Sequence, residues 1–484
     1  MKSTANGLKW SAIERLATQA IQLIVMLFLA RLLGPNVFGL VGMLAVFIAV
    51  SQVFTDSGFT AALVRYTERT ESDFSTAFYF NIFVGLFCYL ILFFAAPSVA
   101  KFYEQPELVN LMRVLALNIV INSFAIVQRA KLTIAMDFKT QAKASLLSVV
   151  ISSGVALYMA ELDYGVWALV GQALSNALLL VILLNVFHPW LPKTGFSKNS
   201  FNYLFGFGSK LLAASLIDTV FKNIYQIIIG KQFSATQVGL FTQANQLSLM
   251  PAMTMTTVIQ RVTYPMLSNI QNDVNKFEDT YLLTLRLAAL VVFPLMAGLS
   301  ISAEPFISIV LGSEWLPAAE LLSILSLAFM LYPIHAINLN LLQVKGRSDI
   351  FLKLEIIKKS LITVMLVITI PLGVKAMCIG LLIHSFIAFF INSFYTGRFS
   401  RLKTTKQLAA LLPIWGCVLF SGLLTYILSW YVVTNYIANP TVHLAINLTV
   451  MPLIYIGLIR WTANDLYTQI LHVIFRKKVE LKNG

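Results

Sequence analysis

The chain has 484 residues, of which 58% are hydrophobic and only 12% are charged. A soluble globular domain is about 45–50% apolar and about 25% charged. This composition therefore excludes a chain of several soluble domains, and it predicts an all-α polytopic membrane protein. The net charge is +14, and the positive-inside bias of cytoplasmic loops explains such an excess without a nucleic-acid partner. The three cysteines lie inside apolar runs, which argues against a disulfide framework.

Apolar stretches long enough to cross a bilayer recur along the whole chain and predict about 14 transmembrane helices. The first stretch continues to Leu33 without a small-residue cleavage site, so we interpret it as a span and not as a signal peptide. The predicted spans are 8–33, 37–64, 74–96, 107–130, 138–160, 164–187, 201–231, 235–267, 278–302, 317–344, 350–371, 374–397, 406–433 and 441–461.

Basic residues concentrate in alternate connectors. The series begins with Arg65 and Arg69 and ends with the C-terminal tail, whereas the opposite connectors hold few basic residues. Because Lys and Arg favour the cytoplasmic side, we expect both termini in the cytoplasm and therefore an even number of spans.

The chain also repeats itself at an offset of about 200 residues. Matching positions, in the same order in both halves, include Arg31 with Lys231, Gly39 with Gly239, Pro97 with Pro305, Asp137 with Asp349 and Gly165 with Gly373. We infer two parallel six-helix lobes plus two C-terminal helices, with an expected substrate site between the lobes and alternating access. The predicted domains are 1–198 (spans 1–6), 199–403 (spans 7–12), 404–462 (spans 13–14) and 463–484 (an amphipathic helix and a basic cytoplasmic tail).

Polar and ionisable side chains inside the spans are the candidate functional residues, because such groups usually face the bundle interior or a water-filled cavity. The candidates for a substrate cavity are Glu14, Arg15, Gln19, Gln22, Asn122, Arg129, Lys210, Lys222, Gln243, Gln246 and Arg261. Asp56 and Asp218 are the candidates for ion coupling, and Asp218 lies one helical turn before Lys222, where the two charges can pair.

Simpler interpretations stand beside each of these assignments. The basic residues near span ends can snorkel to the headgroups, and the amides can hold helices together. Asp56 can cap a helix that breaks near Gly58, and His335 fits an interhelical hydrogen bond better than a proton relay. The five histidines lack metal-ligand spacing and no Walker loop occurs, so we expect no catalytic residues, no metal and no enzyme activity.

Two segments resemble bacterial polysaccharide flippases: residues 30–40 (ARLLGPNVFGL) and residues 56–65 (DSGFTAALVR). These flippases belong to the multidrug/oligosaccharidyl-lipid/polysaccharide exporter superfamily, and the sequence is most similar to the colanic acid exporter subgroup. The resemblance covers nearly the whole chain in span layout, and its specific motif lies in the first two spans.

The resemblance implies fourteen helices and the flipping of an undecaprenyl-diphosphate-linked oligosaccharide to the periplasmic leaflet of the inner membrane. It also implies a cation-rich central cavity, coupling to protons or sodium ions, and a polysaccharide polymerase and glycosyltransferases as partners.

Two alternatives stay open. A multidrug exporter of the same superfamily would prefer acidic and aromatic residues in its cavity, whereas the embedded charges here are mostly basic. A membrane polysaccharide polymerase or ligase would carry a sizeable periplasmic loop, and the connectors near Lys101 and Glu314 are too short for one.

Overall fold

A computed structural model describes residues 2–436 and 439–462, with side chains described at Trp10 and from residue 14 onward. Every regular element in these ranges is a helix, which confirms the all-α, multi-spanning fold class. The chain divides into two compact units, Met1–Thr242 and Gln243–Gly484. The predicted amphipathic tail, 463–484, lies outside the described residues.

The first unit contains nine helices and the start of a tenth among its described residues. Their bounds are α1 Lys2–Asp56, α2 Phe59–Arg65, α3 Glu71–Tyr103, α4 Leu108–Leu115, α5 Leu117–Ser123, α6 Ile126–Ile134, α7 Phe138–Glu161, α8 Val166–Phe187, α9 Lys198–Gln232 and α10 Ala235–Asn269.

Helix α1 holds two spans joined at a break. Its 55 residues would reach about 80 Å as one straight helix, far more than the roughly 30 Å of a bilayer core. Gly34 has φ 74°, outside the helical region, and Pro35 follows it. The break lies between the predicted spans 8–33 and 37–64, so it separates the first two spans as expected.

A second break follows Asp56. Ser57 and Gly58 both have positive φ, and α2 begins after Gly58 without a side-chain cap. The Asp56 carboxylate accepts a hydrogen bond from the Thr60 hydroxyl at 2.5 Å. Asp56 thus lies at the expected helix break, but it bonds a side chain rather than a free backbone N–H.

Small and aromatic residues hold the first unit together. Ala156, Ala160 and Ala168 let α7 and α8 approach the Leu29 region of α1. Aromatic rings fill the space beside α2, where Phe74 and Phe78 of α3 pack edge-on against Trp190. The helix α9 packs on α1, α2 and α3. In the sequence prediction, α9 is the first helix of the second lobe, because the repeat places the lobe boundary at 198/199. The two compact units of the structure instead divide at 242/243, so α9 belongs to the first unit.

Two glycines related by the repeat lie at one backbone crossing. A Cβ added to Gly39 of α1 would overlap the carbonyl oxygen of Ala235, and a Cβ added to Gly239 of α10 would overlap that of Pro35. The two contacts are reciprocal: Gly39 corresponds to Gly239 in the repeat and Pro35 corresponds to Ala235, both at an offset of 200 residues. Only glycine allows this approach.

In the part of the second unit that the structure describes, the rest of α10 is followed by eight further helices. Their bounds are α11 Val274–Ile301, α12 Ala303–Val310, α13 Leu316–Phe329, α14 Tyr332–Val344, α15 Ser348–Thr369, α16 Val374–Arg398, α17 Thr404–Asn435 and α18 Pro440–Thr462, with single 3-10 turns at Ser313–Trp315 and Ile370–Leu372. Tyr281, Phe293 and Met296 of α11 lie in its core with Ile414 of α17.

Eleven of the described helical segments are long and apolar enough to cross a membrane. One of them, Glu14–Arg65, contains the break at Gly34, and the helices α10 and α15 are not among the eleven. The number fourteen therefore stays a prediction. Positive φ recurs at equivalent helix ends, at Glu104 and Gly312 and again at Gly165 and Gly373, as the proposed duplication would require.

Candidate functional site

The polar residues near the start of α1 face two environments. Arg15 and Gln22 are exposed, whereas Glu14 and Gln19 are half-buried. The Glu14 carboxylate accepts a hydrogen bond from the Ser145 hydroxyl of α7 at 2.9 Å. Glu14 thus joins α1 to α7, while Arg15 and Gln22 are accessible.

Arg129 and Asn122, on neighbouring short helices, are less accessible than Arg15 of α1. Arg129 of α6 is half-buried, and its guanidinium interacts electrostatically with the Glu14 carboxylate. Asn122 of α5 donates to the Asn118 backbone carbonyl at 2.9 Å, and Asn118 donates to the Ala173 carbonyl of α8 at the same distance. Asn118 therefore joins α5 to α8, whereas the Asn122 amide bonds within its own helix.

Helix α9 carries three accessible charges within its span. Lys210 is exposed, and the Lys222 Nζ lies 2.6 Å from Asp218 Oδ2, with 69% and 50% of the two side chains accessible. The ion pair expected from the i,i+4 spacing is therefore formed. Charged groups at membrane depth are costly in contact with lipid and normally face water-filled space. The exposure of these side chains thus favours a hydrated surface along this part of α9.

In the second unit, α10 carries a polar stripe of mixed accessibility. Gln246 and Arg261 are exposed, whereas Gln243 is buried and its Nε2 has no hydrogen-bond partner. The hydroxyl groups of Thr254 and Thr257 donate to backbone carbonyls one turn earlier, so their hydrogens are already engaged. Gln246 and Arg261 are the groups on this stripe that a ligand can reach.

One charged cluster was missed by sequence reasoning. Lys131 of α6 lies 2.8 Å from Glu71 Oε1 at the start of α3, and Trp190 Nε1 donates to Glu71 Oε2 at 3.0 Å. The Lys131 ammonium also lies 4.5 Å from the Phe74 ring centroid. Lys131 and Trp190 lie 60 and 119 residues after Glu71 in the chain, so no local sequence pattern predicts the cluster. It fixes α3, α6 and the segment after α8 to one another.

The candidate cavity residues that are exposed are cations and amides: Arg15, Gln22, Lys210, Lys222, Gln246 and Arg261. The half-accessible carboxylate of Asp218 is paired with Lys222. Lysine and arginine bind phosphate oxygens through charge-assisted hydrogen bonds, and amides can donate to and accept from sugar hydroxyls. This donor set suits an anionic, polyhydroxylated headgroup.

Comparison with known proteins gives consistent results. The family described as "Polysaccharide biosynthesis protein" matches residues 28–320. The chain is 27% identical over 354 residues to the teichuronic acid biosynthesis protein TuaB of Bacillus subtilis (strain 168), covering 72% of this chain and 73% of that protein. It is 24% identical over 395 residues to the lipopolysaccharide biosynthesis protein WzxC of Escherichia coli (strain K12), covering 81% and 80%.

Among solved structures, the chain is similar to lipid II flippase MurJ in an inward closed conformation. The TM-score is 0.70 at 15% identity, and the match covers 94% of this chain and 100% of that one. At this identity the likeness shows a shared fold. The family match extends over more than half of the chain, which confirms the resemblance seen at residues 30–40 and 56–65. This multi-spanning membrane protein belongs to the polysaccharide biosynthesis protein family.

Proposed function

We propose that the chain is a flippase that moves an undecaprenyl-diphosphate-linked oligosaccharide from the cytoplasmic to the periplasmic leaflet of the bacterial inner membrane by alternating access. The observation that carries the proposal is the set of exposed cations on spanning helices, above all Lys222 and Arg261. A diphosphate needs such partners to cross the bilayer interior, because an unpaired charge there is expensive.

The relatives support the same biological process. TuaB and WzxC are named for the biosynthesis of teichuronic acid and lipopolysaccharide, and MurJ is named as a lipid II flippase. The partners that we propose for this process are a polysaccharide polymerase and glycosyltransferases. The positive-inside pattern supports cytoplasmic termini.

A multidrug exporter is the less suitable function for these side chains. Cationic drugs need accessible carboxylates, and the Asp218 carboxylate is paired with Lys222. The exposed guanidinium and ammonium groups would repel such drugs. Drug-susceptibility profiling of an overexpressing strain separates the two functions, since the flippase should leave the profile unchanged.

Proton or sodium coupling belongs to the proposal through Asp218 and Asp56. When a diphosphate binds Lys222, the Asp218 carboxylate loses its partner and becomes free to bind a proton or a sodium ion. Substrate and ion would then each bind one member of the charge pair, so the binding of one favours the binding of the other and links their movements.

The experiment replaces Lys222 and Arg261 separately by Ala and measures surface-polysaccharide complementation at equal protein levels. We expect each loss of a charge-assisted contact to lower transport by about tenfold or more, with Lys222→Arg retaining more activity than Lys222→Ala. The control is Lys276→Ala, which removes an exposed cation from the first turn of α11, near the predicted cytoplasmic connector. Full activity of both alanine variants would remove the two residues from the mechanism.

A further inference from the structure

Two backbone contacts lie at the two ends of one helical segment of α1, residues 35–56. The first contact is the reciprocal crossing of Gly39 and Gly239, near the start of the segment. The second contact follows its end, where a Cβ added to Gly208 of α9 would lie 2.4 Å from the Ser57 carbonyl oxygen. At both contacts glycine lets the main chains touch directly.

The two contacts lie toward opposite sides of the predicted membrane. Gly239 is four residues after the start of α10, about 6 Å along the helix, and the connector before α10 is predicted to be periplasmic. Gly208 is ten residues after the start of α9, about 15 Å along the helix, and the basic connector before α9 is predicted to be cytoplasmic.

Helix α9 is packed near its ends and accessible in its middle. Gly208 is buried near its beginning and Gly230 near its end, whereas none of the residues 209–224 is buried. The cations Lys210 and Lys222 lie in this accessible stretch. A headgroup that binds them is thus flanked by a backbone contact on each side, and an oligosaccharide cannot pass between two touching main chains.

The segment 35–56 is bounded by breaks in the backbone. Gly34 has φ 74° before it, and Ser57 and Gly58 have φ 48° and 69° after it. Positive φ is strained for a serine and persists only while the surrounding contacts enforce it. The segment can therefore turn as a rigid helix between the two breaks, and a glycine contact can separate without withdrawing an interlocked side chain.

We propose that the two contacts are the gates of the transport path. The contact of Gly208 with Ser57 closes the cytoplasmic entrance, and the crossing of Gly39 and Gly239 closes the periplasmic exit. The segment 35–56 turns about its end breaks, so that one gate opens while the other stays closed. The proposal rests on the flippase function proposed above and adds the residues that control access to the cations of α9.

The first test locks the periplasmic gate with a disulfide in Gly42→Cys/Val238→Cys. A Cβ added to Gly42 would lie 3.0 Å from Val238 Cγ1, so the two Cβ atoms are within disulfide range, about 4.5 Å or less. We expect the disulfide to stop the flipping of a lipid-linked glycan in vesicles. Reduction should restore flipping, which shows that the variant is folded.

The second test locks the cytoplasmic gate with Zn²⁺ in Tyr66→His/Tyr203→His. Tyr66 follows α2, Tyr203 belongs to α9, and the native rings lie 4.4 Å apart. Two imidazoles placed there can share one Zn²⁺ ion. We expect Zn²⁺ to stop flipping and a chelator to restore it.

A reporter cysteine shows which gate is open without any substrate. Ser215 is exposed between the gates, and it lies on the same face of α9 as Lys222, seven residues later. With the periplasmic gate locked, Ser215→Cys should react with a membrane-impermeant maleimide only from the cytoplasmic side. With the cytoplasmic gate locked, it should react only from the periplasmic side.

The control is a disulfide of the same kind inside the first repeat. A Cβ added to Gly85 of α3 would lie 3.1 Å from Ser123 Cβ of α5. Gly85→Cys/Ser123→Cys should therefore cross-link without changing flipping or the labelling of Ser215→Cys. Full flipping by the locked Gly42→Cys/Val238→Cys protein would overturn the proposal, and so would an equal loss of flipping in the control.

The labelling also separates the gates from the proposed function. Labelling from one side in each locked form, without any flipping by the unlocked protein, refutes only the flippase function. Flipping by the unlocked protein together with labelling from both sides in both locked forms refutes only the gates.

Discussion

Charged side chains in the helices of this protein occur in two kinds of environment. Lys358 and Glu355 of α15 form an ion pair with only 14% and 31% of the two side chains accessible. Lys222, by contrast, stays mostly exposed even though it is paired. A buried pair neutralises its own charge, so it can remain in a helix bundle at a modest cost. The accessible cations are the ones that can exchange their partner for a substrate.

His335 illustrates a buried polar residue with a structural role. Ser385 donates its hydrogen to the Ala328 carbonyl at 2.7 Å, so its oxygen accepts from His335 Nε2 at 3.3 Å. The other ring nitrogen, Nδ1, lies 3.3 Å from Asn392 Nδ2 and accepts from it. These bonds join α14 to α16 and fit a neutral imidazole. The expected interhelical hydrogen bond is confirmed.

At the residue scale we predict that Asp218→Asn uncouples transport from its driving ion. The variant keeps the Lys222 cation but removes the carboxylate that would bind a proton or sodium ion. We expect vesicles to flip the lipid-linked glycan at a rate that no longer responds to an imposed proton or sodium gradient. The rate without a gradient should change by less than about threefold, because the exposed pair contributes little energy by itself.

The control for this experiment is Asp349→Asn. Asp349 is also an exposed, paired carboxylate, with its Oδ2 2.7 Å from Arg347 Nη2, but it lies at the start of α15 beside a connector. A gradient response that persists in Asp218→Asn would leave Asp218 without a coupling role.

At the element scale, helices α10 and α15 differ from the other predicted spans in composition. The helix α15 carries Lys353, Glu355, Lys358 and Lys359 within seven residues, and α10 carries glutamine and threonine along its length. Composition alone therefore does not place them among the membrane-crossing segments. In α15 the fold compensates by pairing Lys358 with Glu355.

The reciprocal crossing of α1 and α10 gives a second prediction. Gly39→Ala and Gly239→Ala should each lower the free energy of unfolding by about 3 kcal/mol, because the new methyl group meets a backbone carbonyl that cannot rotate away. Thermal unfolding of the purified variants measures the effect. Gly206→Ala is the control, since a Cβ at Gly206 of α9 meets no atom within 4 Å. That substitution should be neutral or slightly stabilising, and equal behaviour of all three variants would refute the close crossing.

At the scale of the whole molecule, the first eight of the predicted fourteen spans can be tested by cysteine accessibility. The native cysteines are all buried, so they should give little background with a membrane-impermeant maleimide. We expect Glu107→Cys and Asp163→Cys to react in intact spheroplasts, and Glu68→Cys and Asn272→Cys to react only after lysis. All four positions are exposed. A cysteine that reacts on the side opposite to the predicted one would show that the predicted number of spans before it is wrong.

Much of the fold could be predicted from sequence because each span is a local feature. The predicted limits 138–160 and 164–187 lie within two residues of α7 (Phe138–Glu161) and α8 (Val166–Phe187). The pairing of Asp218 with Lys222 was also predictable, since both lie on one helix. The cluster of Glu71, Lys131 and Trp190 was not predictable, because it joins residues far apart in the chain.

The sequence by itself determined the class of protein, the positions of most helices and the break at Gly34, because hydropathy and backbone preferences act over a few neighbouring residues. The tertiary structure decided which polar side chains remain accessible, that Gly39 and Gly239 meet at one crossing, and that α1, α3 and α9 line an open apolar cavity. These properties depend on which helix faces are brought together, and many patterns of helix contacts are compatible with the same hydropathy. The physical reason is that burial in a helical membrane protein is set by packing between helices, whereas the sequence pattern reports only the preference of each helix for the bilayer.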